Sequence, residues 1–389
     1  MLGTLLRRGG PAIQGGARPR GSSAAHTMPA PIPFSPSYTP HPQAVVRRRR
    51  CAVITAFQTS PHSVVPRPAG GAQPGTVPSL SCEVLEGNMV RFSEGGGTNV
   101  PTAVLVHGIL GSRRNLAGFA RMIVEGFPSW RVVLVDLRCH GGSAAAAGAP
   151  AADGPHTVDA AARDVLELLR SRRMFPHMLI GHSFGGKVVM SMARQFGAGA
   201  RALPRPVQVW VLDAPPGPAR AGGGGGAPGG AAAGGDHPAR LIAALQRVRM
   251  PVAGRAELID ALTAEGFSLE VARWMTTNLR PSECGGLAWS FDLGGIAEMY
   301  SSYEESDLWG LLRSPPLGLK VDFVKATRGA FSWDGEAAIG GLGHRVHALD
   351  AGHWVHTDNP GGLFNILAPS LGAVDQHSEQ ARWQHTARR

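Results

Sequence analysis

The stretch LIGHSFGGKVV, residues 179–189, constrains this chain more than any other. An apolar run enters Gly181-His182-Ser183-Phe184-Gly185, and a second apolar run leaves it. The pattern G-x-S-x-G at such a junction predicts a sharp strand-to-helix turn with the serine at its apex. A serine held there adopts a strained backbone, so its neighbours two positions away must lack bulk. The helix behind it aims N–H groups and a positive dipole end at any oxyanion forming beside the serine.

The flanking sequence supplies the strands such a turn needs. TAVLVHG (102–108), RVVLVDL (131–137), HMLIGHS (177–183) and VQVWVLD (207–213) are short apolar runs, as in strands buried on both faces. Helical patterns separate them, one capped by Thr157 and running to about Met174. This alternation predicts an α/β fold, a mostly parallel sheet flanked by helices. CEVLE and MVRFSE, about the turn Gly87-Asn88, are expected to pair as strands. After residue 213 the pattern breaks into a Gly/Ala-rich low-complexity insertion, 214–238, and then into helical patterns only. Strand character returns at 319–326 and 345–350, and a last helix begins near Asn359. The expected organisation is a leader and linker over 1–78, core over 79–213 and 316–375, a helical cap over 239–315, and a frayed tail over 376–389.

The net charge of +10 is not a property of the expected core. Residues 1–82 hold nine Arg and no Lys, Asp or Glu, and the remainder is nearly balanced. This argues against a nucleic-acid-binding surface on the folded part. An acid-free, Arg-rich start with Ser, Thr and Pro reads as an organellar transit peptide. A chloroplast address is expected, with the mitochondrion as alternative and cleavage near Cys51 or Ala52. No stretch reaches the ~18 apolar residues that a bilayer span requires. Cys51, Cys82, Cys139 and Cys284 show no paired spacing, so no metal site and no cofactor is expected.

A serine nucleophile needs a base, an acid and an oxyanion hole. His353, in LDAGHWVHTDNP, follows the last expected strand, where histidine falls in the chain order Ser, acid, His. Asp213 ends the strand after the nucleophile's and is the favoured acid; Asp334 is the alternative. His107-Gly108-Ile109-Leu110-Gly111 follows the first central strand. The oxyanion hole is assigned to the N–H groups of Ile109 and Phe184, with Leu110 as substitute. His107 is expected to brace its loop, and Asp136 and Arg138 to fix a turn. Leu110, Trp274, Trp289, Phe291 and Tyr300 are candidates for an apolar acyl pocket beneath the cap, or residues that hold the cap together.

At HGILGSRRNL (107–116), DLRCHGGS (136–143), GHSFGGKVVM (181–190), VWVLDAPP (209–216), WMTTNLRPSECGGLAWSFDL (274–293) and GHWVHTDNP (352–360) the chain resembles the α/β-hydrolase superfamily. Within it, the chain is similar to the abhydrolase-domain-containing 11-like esterases. The resemblance spans about Ser81 to Leu371 and implies an acid at Asp213. It implies cofactor-free hydrolysis of small acyl esters or thioesters. Perhydrolase and C–C hydrolase chemistry are alternatives, as is a ligand receptor or protein-binding module that keeps the triad with little turnover.

Overall fold

The computed structural model describes residues 80–90, 100–144, 155–196, 206–219, 235–329 and 335–386, with side chains described to residue 375. The expected transit peptide and Asp334 lie outside these residues.

Seven strands form one sheet: β1 (Cys82–Glu86), β2 (Thr102–Val106), β3 (Arg131–Val135), β4 (Met178–His182), β5 (Gln208–Leu212), β8 (Lys320–Ala326) and β9 (Arg345–Leu349). Their order is β1-β3-β2-β4-β5-β8-β9, with β1 antiparallel to β3 and the other pairs parallel. β2 to β5 are buried along their whole length. Their residues alternate between two apolar clusters: Val104 and Val106 on one face, Ala103 and Leu105 on the other. Helices α2 (Val158–Ser171) and α3 (Phe184–Phe196) cover the first face. Helices α1 (Arg113–Gly126) and α11 (Pro360–Thr386) cover the second. Thr157 caps α2, its hydroxyl accepting from the Ala160 N–H.

Between β5 and β8 stand α4 (Pro238–Arg247), α5 (Arg255–Ala264), α6 (Leu269–Met275), α7 (Leu293–Glu305) and α8 (Trp309–Arg313). These helices occupy the segment expected to form the cap. A small antiparallel pair, β6 (Leu279–Pro281) with β7 (Leu287–Trp289), interrupts the helices. Helix α9 (Glu336–Gly341) precedes β9, and α10 (Val355–Asp358) follows it.

Most of MVRFSE, the expected partner of CEVLE, lies outside the described residues; β1 pairs with β3, Cys82 opposite Val135. The last helix continues through Thr386.

The order in which strands join the sheet reverses at β2: β3 lies to one side of it, and β4 and β5 to the other. Loops leaving adjacent strands diverge there, which opens a crevice at the carboxyl ends of the strands.

Candidate active site

Ser183 sits at that crevice, between the end of β4 and the start of α3. Its φ is +53°, in the left-handed region that disfavours side-chain-bearing residues. The reason for the flanking glycines is steric. A Cβ at Gly181 would stand 2.1 Å from the Gly185 carbonyl oxygen, and a Cβ at Gly185 would stand 2.4 Å from the Val106 carbonyl oxygen. Only glycine at both positions lets α3 start this close to the sheet.

Asp213 arrives beside Ser183 through strand register. His182 pairs with Leu212, so the next residue on each strand leaves the sheet at the same level. The Ser183 N–H donates to the Leu212 carbonyl (2.8 Å), and the Asp213 N–H donates to that of Val324 (2.7 Å). Asp213 also has a positive φ, +51°. Its buried carboxylate takes the Ala326 N–H on Oδ1 (3.1 Å) and lies 2.7 Å from His353 Nδ1 through Oδ2. A carboxylate there accepts a hydrogen bond from Nδ1–H and leaves Nε2 free to act as the base.

His353 is set from a second side. His182 lies next to the serine in sequence, and its Nε2 is 2.8 Å from the His353 carbonyl. Burial first, then the neighbouring His356 and His353 rings, holds His182 well below the usual imidazole range. It is therefore a neutral donor to that carbonyl. His356, on α10, packs edge-on to His182 at 4.7 Å, and burial brings it down to about 4.

Two neutral imidazoles brace the loop after β2. His107 Nδ1 is 2.8 Å from the Gly108 carbonyl, and its Nε2 accepts the Leu137 N–H (3.0 Å). His140 Nδ1 is 2.8 Å from the Arg138 carbonyl, and its Nε2 accepts the Leu110 N–H (3.1 Å). Burial, followed by the His107 ring, lowers His140 to about 3. The bond from Leu110 bears on the oxyanion assignment. That amide is already used, whereas those of Ile109 and Phe184 have no hydrogen-bond partner among the described residues. Leu110 has φ +60°, and its carbonyl accepts from Asn278 Nδ2 of the cap (2.9 Å). Asp136 and Arg138 behave as expected. Asp136 takes the N–H groups of Arg113 and Gly142, and Arg138 grips Asp164 with two guanidinium nitrogens (2.6 and 2.8 Å).

A cavity of about 640 Å³ opens onto Ser183 and His353. Ile109, Leu110 and Trp274 line it, joined by Leu241, Val271 and Trp354. Trp289, Phe291 and Tyr300 do not line it. Trp289 stacks on Phe291 (5.0 Å), and Tyr300 on Tyr303 (5.9 Å), so these rings hold the cap together. The Phe184 side chain is also packed away, against Tyr303 at 6.0 Å. Sequence reasoning missed Trp354, Leu241, Val271, His140 and Asn278. Trp354 was within reach, since it follows the candidate base directly.

A parallel sheet with a serine elbow, and an Asp–His pair at the same strand ends, defines the architecture of the α/β hydrolases. The sequence model of the alpha/beta hydrolase family matches residues 103–366, and the chain belongs to that family. It is 27% identical to the mouse (Mus musculus) "sn-1-specific diacylglycerol lipase ABHD11", over 71% of this chain and 82% of that protein. The frog (Xenopus laevis) protein of the same name is 28% identical, over 69% and 78%. A marine microorganism esterase shares the fold with a TM-score of 0.58 at 20% identity, over 75% of this chain and 98% of that one. Among the described residues no helix is long and apolar enough to cross a membrane.

Proposed function

We propose that the protein is a serine hydrolase that cleaves carboxylic esters or thioesters through Ser183, His353 and Asp213. The observation that carries this reading is the 2.7 Å contact between His353 Nδ1 and Asp213 beside a serine held at φ +53°. Ser183 Oγ attacks the acyl carbonyl as His353 Nε2 takes its proton. The tetrahedral oxyanion is held by the Ile109 and Phe184 amides, the latter at the N-terminus of α3. His353 returns the proton to the leaving oxygen or sulfur. It then activates a water, which attacks the acyl-enzyme and releases the acid with the serine restored. Asp213 stays ionised, fixing the ring and stabilising the imidazolium.

The apolar walls of the cavity, Leu110, Leu241, Val271 and Trp274, favour an acyl chain over a polar group. The names of the mouse and frog relatives make diacylglycerol-type esters the first natural class to test. Turnover of short- and medium-chain p-nitrophenyl esters tests the reaction itself. Hydrolysis by the wild type, and its loss in Ser183→Ala with the fold intact, is expected; equal rates for the two proteins would refute the nucleophile.

An organellar address, a plastid before a mitochondrion, rests on the composition of residues 1–82 alone. The animal relatives lend the plastid no support. Removal of residues 1–50 is expected in protein isolated from the organelle, and an intact Met1 there would contradict it.

A further inference from the structure

Cys139, His156 and Asp292 come from three separate segments: the loop after β3, the approach to α2, and the N-cap of α7 in the cap. One donor atom from each lies within 4.8 Å of the other two. The Cys139 Sγ to His156 Nδ1 distance is 3.3 Å. The Asp292 N–H donates to the Cys139 carbonyl (2.8 Å), which fixes the two backbones against each other. Asp292 Oδ1 accepts the Gly294 and Gly295 N–H groups (3.0 and 3.3 Å), and Oδ2 is the oxygen turned toward the cluster. Gly295 lets the cluster close over the helix start. A Cβ there would stand 2.3 Å from Cys139 Sγ, 3.0 Å from Asp292 Oδ2 and 3.2 Å from His156 Cδ2. Cys139 itself holds φ +64°, a conformation a cysteine keeps only where its surroundings impose it.

From this geometry we propose that Cys139, His156 and Asp292 form a divalent-cation site that takes zinc and fastens the cap to the core. Thiolate, imidazole and carboxylate are the ligand set of borderline-soft Zn²⁺, not of Mg²⁺ or Ca²⁺. Tetrahedral zinc at ~2.0–2.3 Å from each ligand needs donor separations of about 3.3–3.8 Å, so the cluster closes by ~1 Å on binding. His156 is half-exposed and can supply that movement, and water takes the fourth position. Without the cation, Cys139 Sγ and His156 Nδ1 stand at hydrogen-bond distance, and the thiol can donate to the ring. Binding forms the Zn–S bond and releases this proton to solvent. The site is separate from the cavity at Ser183, whose lining includes none of the three residues. It acts where α7 already meets α2, with the Ser302 hydroxyl accepting the Val158 N–H (3.1 Å).

The test uses the full-length protein, stripped with chelator and titrated with Co²⁺ and then Zn²⁺. One equivalent of Co²⁺ is expected to give a thiolate-to-metal charge-transfer band in the near ultraviolet, which Zn²⁺ removes. Saturating Zn²⁺ is expected to raise the melting temperature by about 5 °C. Cys139→Ser and His156→Ala should each abolish both effects. His156→Ala is the safer variant, because its side chain is not part of the core. Asp292→Asn keeps the helix cap and should weaken Zn²⁺ binding at least tenfold. A band absent from the wild type, or one that persists in Cys139→Ser, overturns the proposal. So does a melting temperature that Zn²⁺ moves equally in His156→Ala.

Discussion

Leu110, Ser183 and Asp213 are all non-glycine residues with positive φ, and all three border one crevice. Such a backbone costs about 1–3 kcal/mol per residue and persists only where neighbours enforce it. Leu110 is held through both its N–H and its carbonyl, and Ser183 and Asp213 donate to adjacent strand ends. Asp213→Asn is expected to preserve the fold and lower kcat by roughly 10³–10⁴-fold, because the amide stabilises the wrong imidazole tautomer. Ester turnover of the purified variant checks this, and a loss under tenfold would point to another acid. Gly185→Ala should abolish turnover even if the protein folds, since its Cβ would press the elbow off the Val106 carbonyl. At this scale the positions of the proposed triad residues could be read from the sequence. Ser183 and Asp213 directly follow strands β4 and β5, and the proposed base His353 comes four residues after β9; apolar runs mark such strand ends clearly. The roles of His140 and His182 were not legible, because each depends on which carbonyl or amide the fold brings to its ring.

Polar links among the described residues tie the cap to the core beside the site. Asn278, at the foot of the cap, donates to the Leu110 carbonyl, which ties the cap to the loop that carries the proposed oxyanion amide of Ile109. Asn278→Ala is expected to lower kcat about tenfold with KM little changed, because the amide it positions acts on the oxyanion rather than on the bound ester. Steady-state kinetics on a p-nitrophenyl ester reads this split; a change confined to KM would make Asn278 a pocket residue only. Lys187 on α3 is fully buried and donates to the carbonyls of Gly217, Tyr303 and Ser306 (2.7, 2.7 and 3.1 Å). Its ammonium has three donors for these three acceptors, and it lies 4.4 Å over the Tyr303 ring. Lys187→Met leaves three carbonyls without their donor, and chemical denaturation should show a loss of about 3 kcal/mol. The order of elements was legible because strands buried on both faces and amphipathic helices differ in apolar period. Pairing partners and pocket walls were not. The β1–β3 pairing joins segments far apart in sequence, and an aromatic residue in a cap has the same signature whether it lines a cavity or stacks on its neighbour, as Trp289 does on Phe291.

Across the whole molecule, several buried imidazoles are kept neutral, and this sets a pH dependence of stability. His356 falls to about 4 and His140 to about 3 in the folded protein, from an unfolded value of 6.5. Between those values the unfolded chain binds more protons, so stability is full above pH 6.5 and is lost as pH falls toward 4. His356 alone accounts for about 3 kcal/mol of that loss. Urea unfolding from pH 7 to pH 4 should show a falling midpoint, with a shallower fall in His356→Leu; the same slope in both proteins would contradict this source of acid lability.

The central claim is that Ser183 is an activated nucleophile served by His353 and Asp213. The most direct measurement is labelling with a fluorophosphonate probe, which reacts only with a serine whose proton can be removed. Wild type should label rapidly, Ser183→Ala should not label, and Asp213→Asn should label far more slowly, while Asp334→Asn keeps the wild-type rate. A folded wild type that resists the probe, or labelling that survives Ser183→Ala, would contradict the account.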